Sequence, residues 1–459
     1  MNVVGHVYCF YWQVVMKRTV CFTIVGLVLS GIFAIAAFGQ GGCDCVPEQV
    51  IVQLNNASDL QAVATQYHLD PTPISQMAQP PIYLLHINNG QTPPQVVAAM
   101  TGDTRIIFPE VNRILSQMER PGLPWTQGRS WAIGRSWAIG GSSKGYSKQY
   151  FPWRIRLNEA FAAAGTRGRR VDNGQPIVVA VLDTGIDYNH PAFQGHLVPQ
   201  SDWLDLVDGD NDPMEVGTLR VDPAYGHGTH VAGIVALTVP DAKIMPIRIL
   251  KQDGSGELWM ITAGLIWAAQ HGAEVANLSI GFPEDVDVLH ELLACADDGV
   301  SPNGTTFPEI GLHRLAVTVA AGNGGDTRLI YPAANQADGA LAVTSSTRYD
   351  ELSIFSTFNP DRRVYRTAAP GEDIVSALPG GRYGMWTGTS MAAPIVAGVV
   401  ALEKARYTTP CLAPHNYLEH IEDTGVRRDW SNLPPWGHNV RIQRVDALNA
   451  VSSSPACTP

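Results

Sequence analysis

The chain has 459 residues, 45% of them hydrophobic and 16% charged, with 44 Gly and 32 Pro, a composition that excludes intrinsic disorder and leaves room for more than one globular unit. Acidic residues outnumber basic ones 42 to 31, and the net charge of −11 leaves no broad cationic surface for nucleic acid. Seven cysteines are too few for a disulfide scaffold: Cys9, Cys21, Cys43 and Cys45 crowd the N-terminus, and only Cys295, Cys411 and Cys457 remain for the body.

Lys17 and Arg18 precede an uncharged run from Thr19 to Gly42 that is densely apolar between Cys21 and Phe38, so residues 1–42 read as a secretory signal peptide. A single-span anchor of similar length is the competing reading, against which small residues around Ala34 to Gly42 suit cleavage. Met16, directly before the basic pair, makes a more ordinary start than Met1. Cys43 after Gly41-Gly42 resembles a lipoprotein attachment site, although Gln40 stands where an apolar residue is expected. The expected location is secreted or extracellular, with a periplasmic or lipid-anchored surface form as variants and no stable membrane span after signal removal.

Residues 46–115 alternate extended and helical patterns. Val50 to Leu54 is an extended run; Ser58 is a plausible N-cap for a helix carrying Leu60, Val63, Ala64 and Tyr67; Ile82 to Ile87 is extended; Thr92-Pro93-Pro94 opens a second helix; Ile106 to Val111 is extended again. About 70 residues of this kind cannot bury a large core, so the unit is expected to need a partner surface. Residues 116–150 read as a linker rich in Gly, Ser and Arg, with a tandem hexapeptide: Gly128 to Ile133 repeats as Gly134 to Ile139.

Across 151–450 short apolar runs alternate with longer helical stretches. Ile177 to Leu182, Ile244 to Leu250, Val275 to Ile280, Leu315 to Ala321 and Ala340 to Val343 are near-continuously apolar, as strands buried on both faces are. Helices are predicted over Thr229 to Ala236, Leu258 to Gln270, Val286 to Ala296 and Thr389 to Ala405. The fold class is α/β, a mostly parallel sheet flanked by helices, preceded by the small α+β unit.

Three motifs fall at strand–helix junctions: Asp183-Thr184-Gly185, Gly226-His227-Gly228-Thr229-His230 and Gly388-Thr389-Ser390. A serine hydroxyl becomes a nucleophile when an imidazole takes its proton, and the imidazole needs a carboxylate to fix its tautomer and stabilise its cation. Gly226, Gly228 and Gly388 read as removing side chains that would obstruct a substrate. Each motif alone has a plainer reading. Asp-Thr-Gly also serves paired-carboxylate chemistry, which needs two carboxylates sharing one proton; His227 and His230 could be metal ligands, but a third is missing; Gly-Thr-Ser could be a helix cap alone. Their joint occurrence, Asp, His and Ser in that order, is what points to acyl transfer.

Over residues 153–405, and loosely to 450, the chain resembles the subtilisin-type (subtilase) serine endopeptidases, in which the same order occurs. The resemblance implies Asp183 as orienting acid, His227 as general base, Ser390 as nucleophile and Asn323, within Ala320-Ala321-Gly322-Asn323, as side-chain donor to the oxyanion. It implies substrate contacts at Ser279, Ile280 and Gly281, at Ala320, Ala321 and Gly322, and at Ile330, the last before Tyr331-Pro332 on the pocket floor where relatives often have Gly. It further implies polypeptide substrates, no required cofactor, and that 46–115 is an inhibitor-type propeptide acting as an intramolecular partner. The alternative is a catalytically silent subtilase domain that binds peptides or a partner protein.

Departures from the family pattern are expected to matter locally. Ile395 replaces a common His as a packing change, and Phe282 replaces a common Gly and could narrow the cleft. The loop that forms a calcium site in many relatives is short here. Asp205, Asp208, Asp210 and Asp212 offer oxygen ligands of the kind calcium takes, although a solvated acidic turn is the more frequent explanation of such a loop. Cys411 and Cys457 could pair.

Overall fold

The computed structural model describes residues 43–78, 80–116, 137–139, 141–219, 221–298, 314–335, 337–359, 364–408, 413–428, 430 and 442–457. The expected signal peptide and Met16, the first copy of the repeat with most of the linker, and Cys411 lie outside them. Among the described residues no helix is long and apolar enough to cross a membrane.

The N-terminal unit runs β1 (Cys45–Leu54), a 3-10 turn (Ala57–Asp59), α1 (Leu60–Gln66), β2 (Ser75–Met77), β3 (Ile82–His86), α2 (Pro93–Met100) and β4 (Ile106–Ser116). Ser58 lies within the 3-10 turn and does not cap α1, which follows Asp59 without a side-chain cap. At α2 the start signal holds: Gln95 Oε1 accepts from the Thr92 N–H at 2.9 Å. Alternation along the strands divides the sheet's two faces. Val50, Val52 and Leu54 pack with Val63, Val96 and Met100 of the helices, whereas Ile51, Ile82, Leu84, Phe108 and Leu115 join the core of the following domain. The small unit therefore does bury one face on a partner surface, as its size requires.

The rest of the chain contains β5 (Trp137–Ile139), α3 (Ser143–Ser147), α4 (Tyr150–Arg154), α5 (Leu157–Ala164), β6 (Val178–Asp183), β7 (Leu204–Asp205), α6 (His227–Thr238), β8 (Lys243–Arg248), β9 (Ser255–Glu257), α7 (Leu258–Gln270), β10 (Val275–Leu278) and α8 (Asp287–Asp298). It continues with β11 (Ala316–Ala320), β12 (Ala340–Ser346), β13 (Thr367–Pro370), β14 (Ile374–Leu378), β15 (Arg382–Trp386), α9 (Thr389–Arg406), α10 (Pro414–Thr424), β16 (Val426–Arg427), β17 (Gln443–Arg444) and α11 (Ala447–Ser452). The described end of the expected linker is not bare: β5, the end of the second repeat copy, pairs antiparallel with β15, and α3 follows.

The main sheet has the order β16-β17-β13-β12-β11-β10-β6-β8-β7, parallel apart from the β16–β17 pair. Its strands read as near-continuous apolar runs because both faces are covered. Ala180, Leu182, Met245 and Ile247 face the core shared with α7 and α8; Val179, Val181 and Ile244 face the core shared with α6 and α9. From β6 the chain builds outward to β8 and β7, then returns to the other flank with β10. That reversal opens a crevice at the strand C-termini beside β6, where α/β sheets carry their sites. Cys295 is buried in α8, and Cys457 is disulfide-bonded.

Candidate active site

Asp183 is the last residue of β6, with 1% of its surface exposed, and Thr184 N–H donates to its Oδ1 at 2.7 Å. His227 opens α6, and its Nδ1 stands 2.7 Å from the same Oδ1. With a proton on Nδ1 this bond fixes the tautomer and leaves Nε2 as the basic nitrogen. Gly226 turns the chain into α6 at φ 92°. At Gly228 a Cβ would stand 2.1 Å from the Gly185 carbonyl oxygen and 3.1 Å from Asp183 Cβ. Gly228 thus lets α6 approach the end of β6.

Ser390 is the second residue of α9. Its Oγ donates to the Ser279 carbonyl at 3.4 Å, and Ser279 Oγ donates to the Ser390 carbonyl at 3.1 Å. Ser279 is held in turn by Asn277 Nδ2 at 2.9 Å, and Asn277 Oδ1 by Thr318 Oγ1 at 3.2 Å. Asn323 Oδ1 accepts from Thr389 N–H at 2.9 Å and from Thr389 Oγ1 at 3.0 Å. Its carbonyl end is committed to the residue before Ser390, so its amide nitrogen is the end that can donate to a developing oxyanion.

Ser279, Ile280 and Gly281 follow β10, and Ala321 and Gly322 follow Ala320 at the end of β11, so adjacent parallel strands bring the two segments side by side. Phe282 and Tyr331 exchange backbone bonds of 2.9 and 2.8 Å, which draws Ile330 alongside. The Ile330 N–H donates to Tyr365 Oη at 2.8 Å, and Ile330 is half-buried and belongs to neither large core. Phe282, expected to narrow the cleft, instead packs in the core with 5% exposed.

The acidic loop carries its own counter-charge. Arg248 Nη1 lies 2.6 Å from Asp205 Oδ2 and also bonds Asp208, Asp205 Oδ1 accepts the N–H groups of Val207 and Asp208, and Asp210 and Asp212 accept from Asp212 and Met214 N–H. Arg248 thus pairs with two of the four acids expected as calcium candidates, Asp205 and Asp208, and among the described residues no group of three or more His, Cys, Asp or Glu could hold a metal ion. His230 is stacked on Trp386 with ring centroids 4.5 Å apart, and burial pushes its pKa down to about 3. It packs as a neutral ring while His227 faces Asp183. Ile395 is fully buried in α9, a packing residue as expected.

Sequence reading missed two features. Strand β9 pairs antiparallel with β4, Leu115 opposite Gly256 and Ser116 opposite Ser255; the Asp253-Gly254-Ser255-Gly256 turn after an apolar strand was its available signal. Glu215, 6% exposed, bonds Thr184 and Thr229 beside the Asp–His pair; a single Glu in a polar loop gives no sequence signal.

A sequence model of the subtilase family matches residues 174–437. A thermophilic serine proteinase of Bacillus sp. (strain AK1) is 30% identical over 370 residues, covering 78% of this chain and 78% of that protein. Thermitase of Thermoactinomyces vulgaris is 35% identical over 266 residues, covering 56% and 82%. The major intracellular serine protease of Bacillus subtilis (strain 168) is 35% identical over 247 residues, covering 50% and 69%. The chain belongs to the subtilase family. It is a subtilisin-type serine endopeptidase, and polypeptides are its substrates.

Proposed function

We propose that the peptidase is made as a secreted pre-pro-protein and cleaves peptide bonds through Asp183, His227 and Ser390 by way of an acyl-enzyme. The observation that carries this reading is the 2.7 Å bond from His227 Nδ1 to Asp183 Oδ1, both groups buried. Ser390 Oγ attacks the peptide carbonyl as His227 takes its proton; the imidazolium, stabilised by Asp183, returns it to the leaving amine; water then repeats the sequence on the ester. Asn323 and the Ser390 N–H stabilise the oxyanion, and the segments at 279–281 and 320–322 with Ile330 receive the substrate.

The N-terminal unit, residues 46–115, acts as a propeptide. Three contacts support this. β4 extends its sheet with β9 of the peptidase domain. Asn112 Oδ1 accepts from Trp259 N–H at 3.1 Å at the start of α7, and Glu110 Oε2 accepts from Asp287 N–H at 3.2 Å at the start of α8. Secretion rests on the basic pair and apolar run of residues 17–42.

The test is expression of wild type beside Ser390→Ala, with intact mass, N-terminal sequence and location of each product. Wild type is expected outside the cell without residues 1–116 and reactive with an organophosphonate despite chelators. A silent binding domain would leave both proteins unprocessed and unreactive, and overturn the reading.

A further inference from the structure

Glu215 takes no part in the proposed acyl transfer, and its hydrogen bonds go to the residues that flank Asp183 and His227. Thr184, next to Asp183, donates its hydroxyl to Glu215 Oε1 at 2.6 Å. Thr229, two residues after His227, donates its hydroxyl to Oε2 at 2.8 Å and its N–H at 3.1 Å. The Gly226 N–H adds a further donor just before His227.

Both hydroxyls also accept, and each does so across the junction. Thr184 Oγ1, on the β6 side, accepts from the Gly228 N–H of α6 at 2.9 Å; Thr229 Oγ1, on α6, accepts from the Asp187 N–H of the β6 side at 2.9 Å. A threonine hydroxyl has one proton, and in both cases it goes to Glu215. The carboxylate therefore orients two hydroxyls that each bridge the segment carrying Asp183 to the segment carrying His227. Its own backbone is fixed as well. Glu215 N–H donates to the Ile186 carbonyl at 3.3 Å, Ile186 N–H donates to the Pro213 carbonyl at 2.8 Å, and a Cβ at Gly185 would come 2.8 Å from that same Pro213 oxygen. Burial pushes the Glu215 carboxyl up, and its donors oppose that shift.

We infer that Glu215 is a positioning residue for the proposed triad, setting the separation and orientation of the Asp183–His227 pair through Thr184 and Thr229. The inference rests on the triad reading. Its physical basis is that a general base must sit within hydrogen-bond reach in the correct orientation, and that small misplacements are costly.

The test compares Glu215→Gln, which keeps shape and loses the charge, with Thr→Ser and Thr→Val at 184 and 229. Readouts are kcat and KM per titrated active site, the rate of inactivation by a small organophosphonate, and Tm. Glu215→Gln is expected to lower kcat and the inactivation rate together by about 10–100-fold, with KM changed less than about twofold. Thr184→Ser and Thr229→Ser are expected to stay near wild type, because the hydroxyl remains, while the valine variants reproduce the loss. Combining Glu215→Gln with Thr184→Val is expected to cost less than the sum of the two. A Tm loss with kcat per active site unchanged, or equal activity of the Ser and Val variants, overturns the inference; the threonine pairs decide the matter if Glu215→Gln does not fold. Asp183→Ala and His227→Ala run in parallel. If they retain activity, the triad reading fails; if they lose it and Glu215→Gln does not, only this inference fails.

Discussion

Leu115 of the N-terminal unit stands opposite Gly256 of the peptidase domain, so the longest strand of one unit is hydrogen-bonded to an edge strand of the other. Strand addition of this kind binds extended peptide through its main chain, largely independent of sequence. Gly256 fits because a Cβ there would lie 2.6 Å from the Ile249 carbonyl oxygen. The chain leaves β4 at Ser116, and cleavage is expected within the 116–150 segment. Ser390→Ala should then accumulate as a single chain that still contains residues 46–115, because removing the nucleophile costs about 10⁶ in turnover. Appearance of mature-size Ser390→Ala protein in a host lacking other proteases would contradict self-processing.

Asn112 gives that interface a separate test. Fully buried, it donates to Gln49 Oε1 at 2.8 Å and Glu257 Oε2 at 3.0 Å and accepts from Trp259 N–H, so one amide ties its own sheet to β9 and α7. Asn112→Ala strands those partners at a cost of about 1–3 kcal/mol. In the Ser390→Ala background the denaturant midpoint should fall accordingly, and wild-type maturation should slow. An unchanged midpoint would mean that Asn112 does not couple the units.

Oxyanion stabilisation is tested at Asn323. Thr389 holds its Oδ1, which aims the amide, so Asn323→Ala should lower kcat by about 10²–10³-fold while KM changes little. Loss confined to KM would assign Asn323 to substrate binding.

The parallel sheet was legible because β6, β8, β10 and β11 are short, mostly apolar runs alternating with helix-length patterns, and a strand buried on both faces carries few polar residues to obscure it. The proposed Asp–His–Ser set could be picked out as a candidate because each member sits at or near an element's end within two residues of a glycine. Side-chain bonds across long sequence separations were not. Glu215 reaches Thr184 over 31 residues and Arg248 reaches Asp205 over 43, and no local pattern marks a carboxylate as already taken. The pairing of Arg248 with Asp205 and Asp208 in the acidic loop was hidden for that reason. Ser58 misled because Asp59 continues the turn into α1, leaving no extended residue to cap.

Specificity is expected to depend on Ile330. It is half-buried, outside both cores, and held beside 279–282 by the Phe282–Tyr331 pairing, so a branched side chain is available to fill the S1 floor. The chain should prefer small to medium apolar P1 residues such as Ala or Val over Phe and Tyr. A misfit of about one methylene is worth about 1–3 kcal/mol, which makes the preference graded. Measuring kcat/KM on paired Ala and Phe P1 peptides, Ile330→Gly should shift the ratio toward Phe by at least about tenfold. An unchanged ratio removes Ile330 from the pocket.

The last prediction concerns pH and the C-terminal helices. Glu403 of α9 is fully buried and bonds His420 of α10, whose Nε2 lies 3.0 Å from Ser453 Oγ. Burial pushes the Glu403 carboxyl up to about 7, against the opposing pull of His420 and Lys404. The ordinary value is 4.5, so between pH 4.5 and 7 the native chain keeps a proton that the unfolded chain has lost. Across that window the contribution of this group to stability falls as pH rises, at no more than about 1.4 kcal/mol per pH unit. In a Ser390→Ala background, which prevents self-digestion, Glu403→Gln should therefore gain on its parent in urea midpoint from pH 5 to 7.5. Removing the partner takes away a group that pulls the Glu403 carboxyl down, so in His420→Ala that carboxyl should keep its proton to a higher pH than in the parent. A difference between Glu403→Gln and its parent that stays constant across pH 5 to 7.5 would show that Glu403 does not titrate in this range.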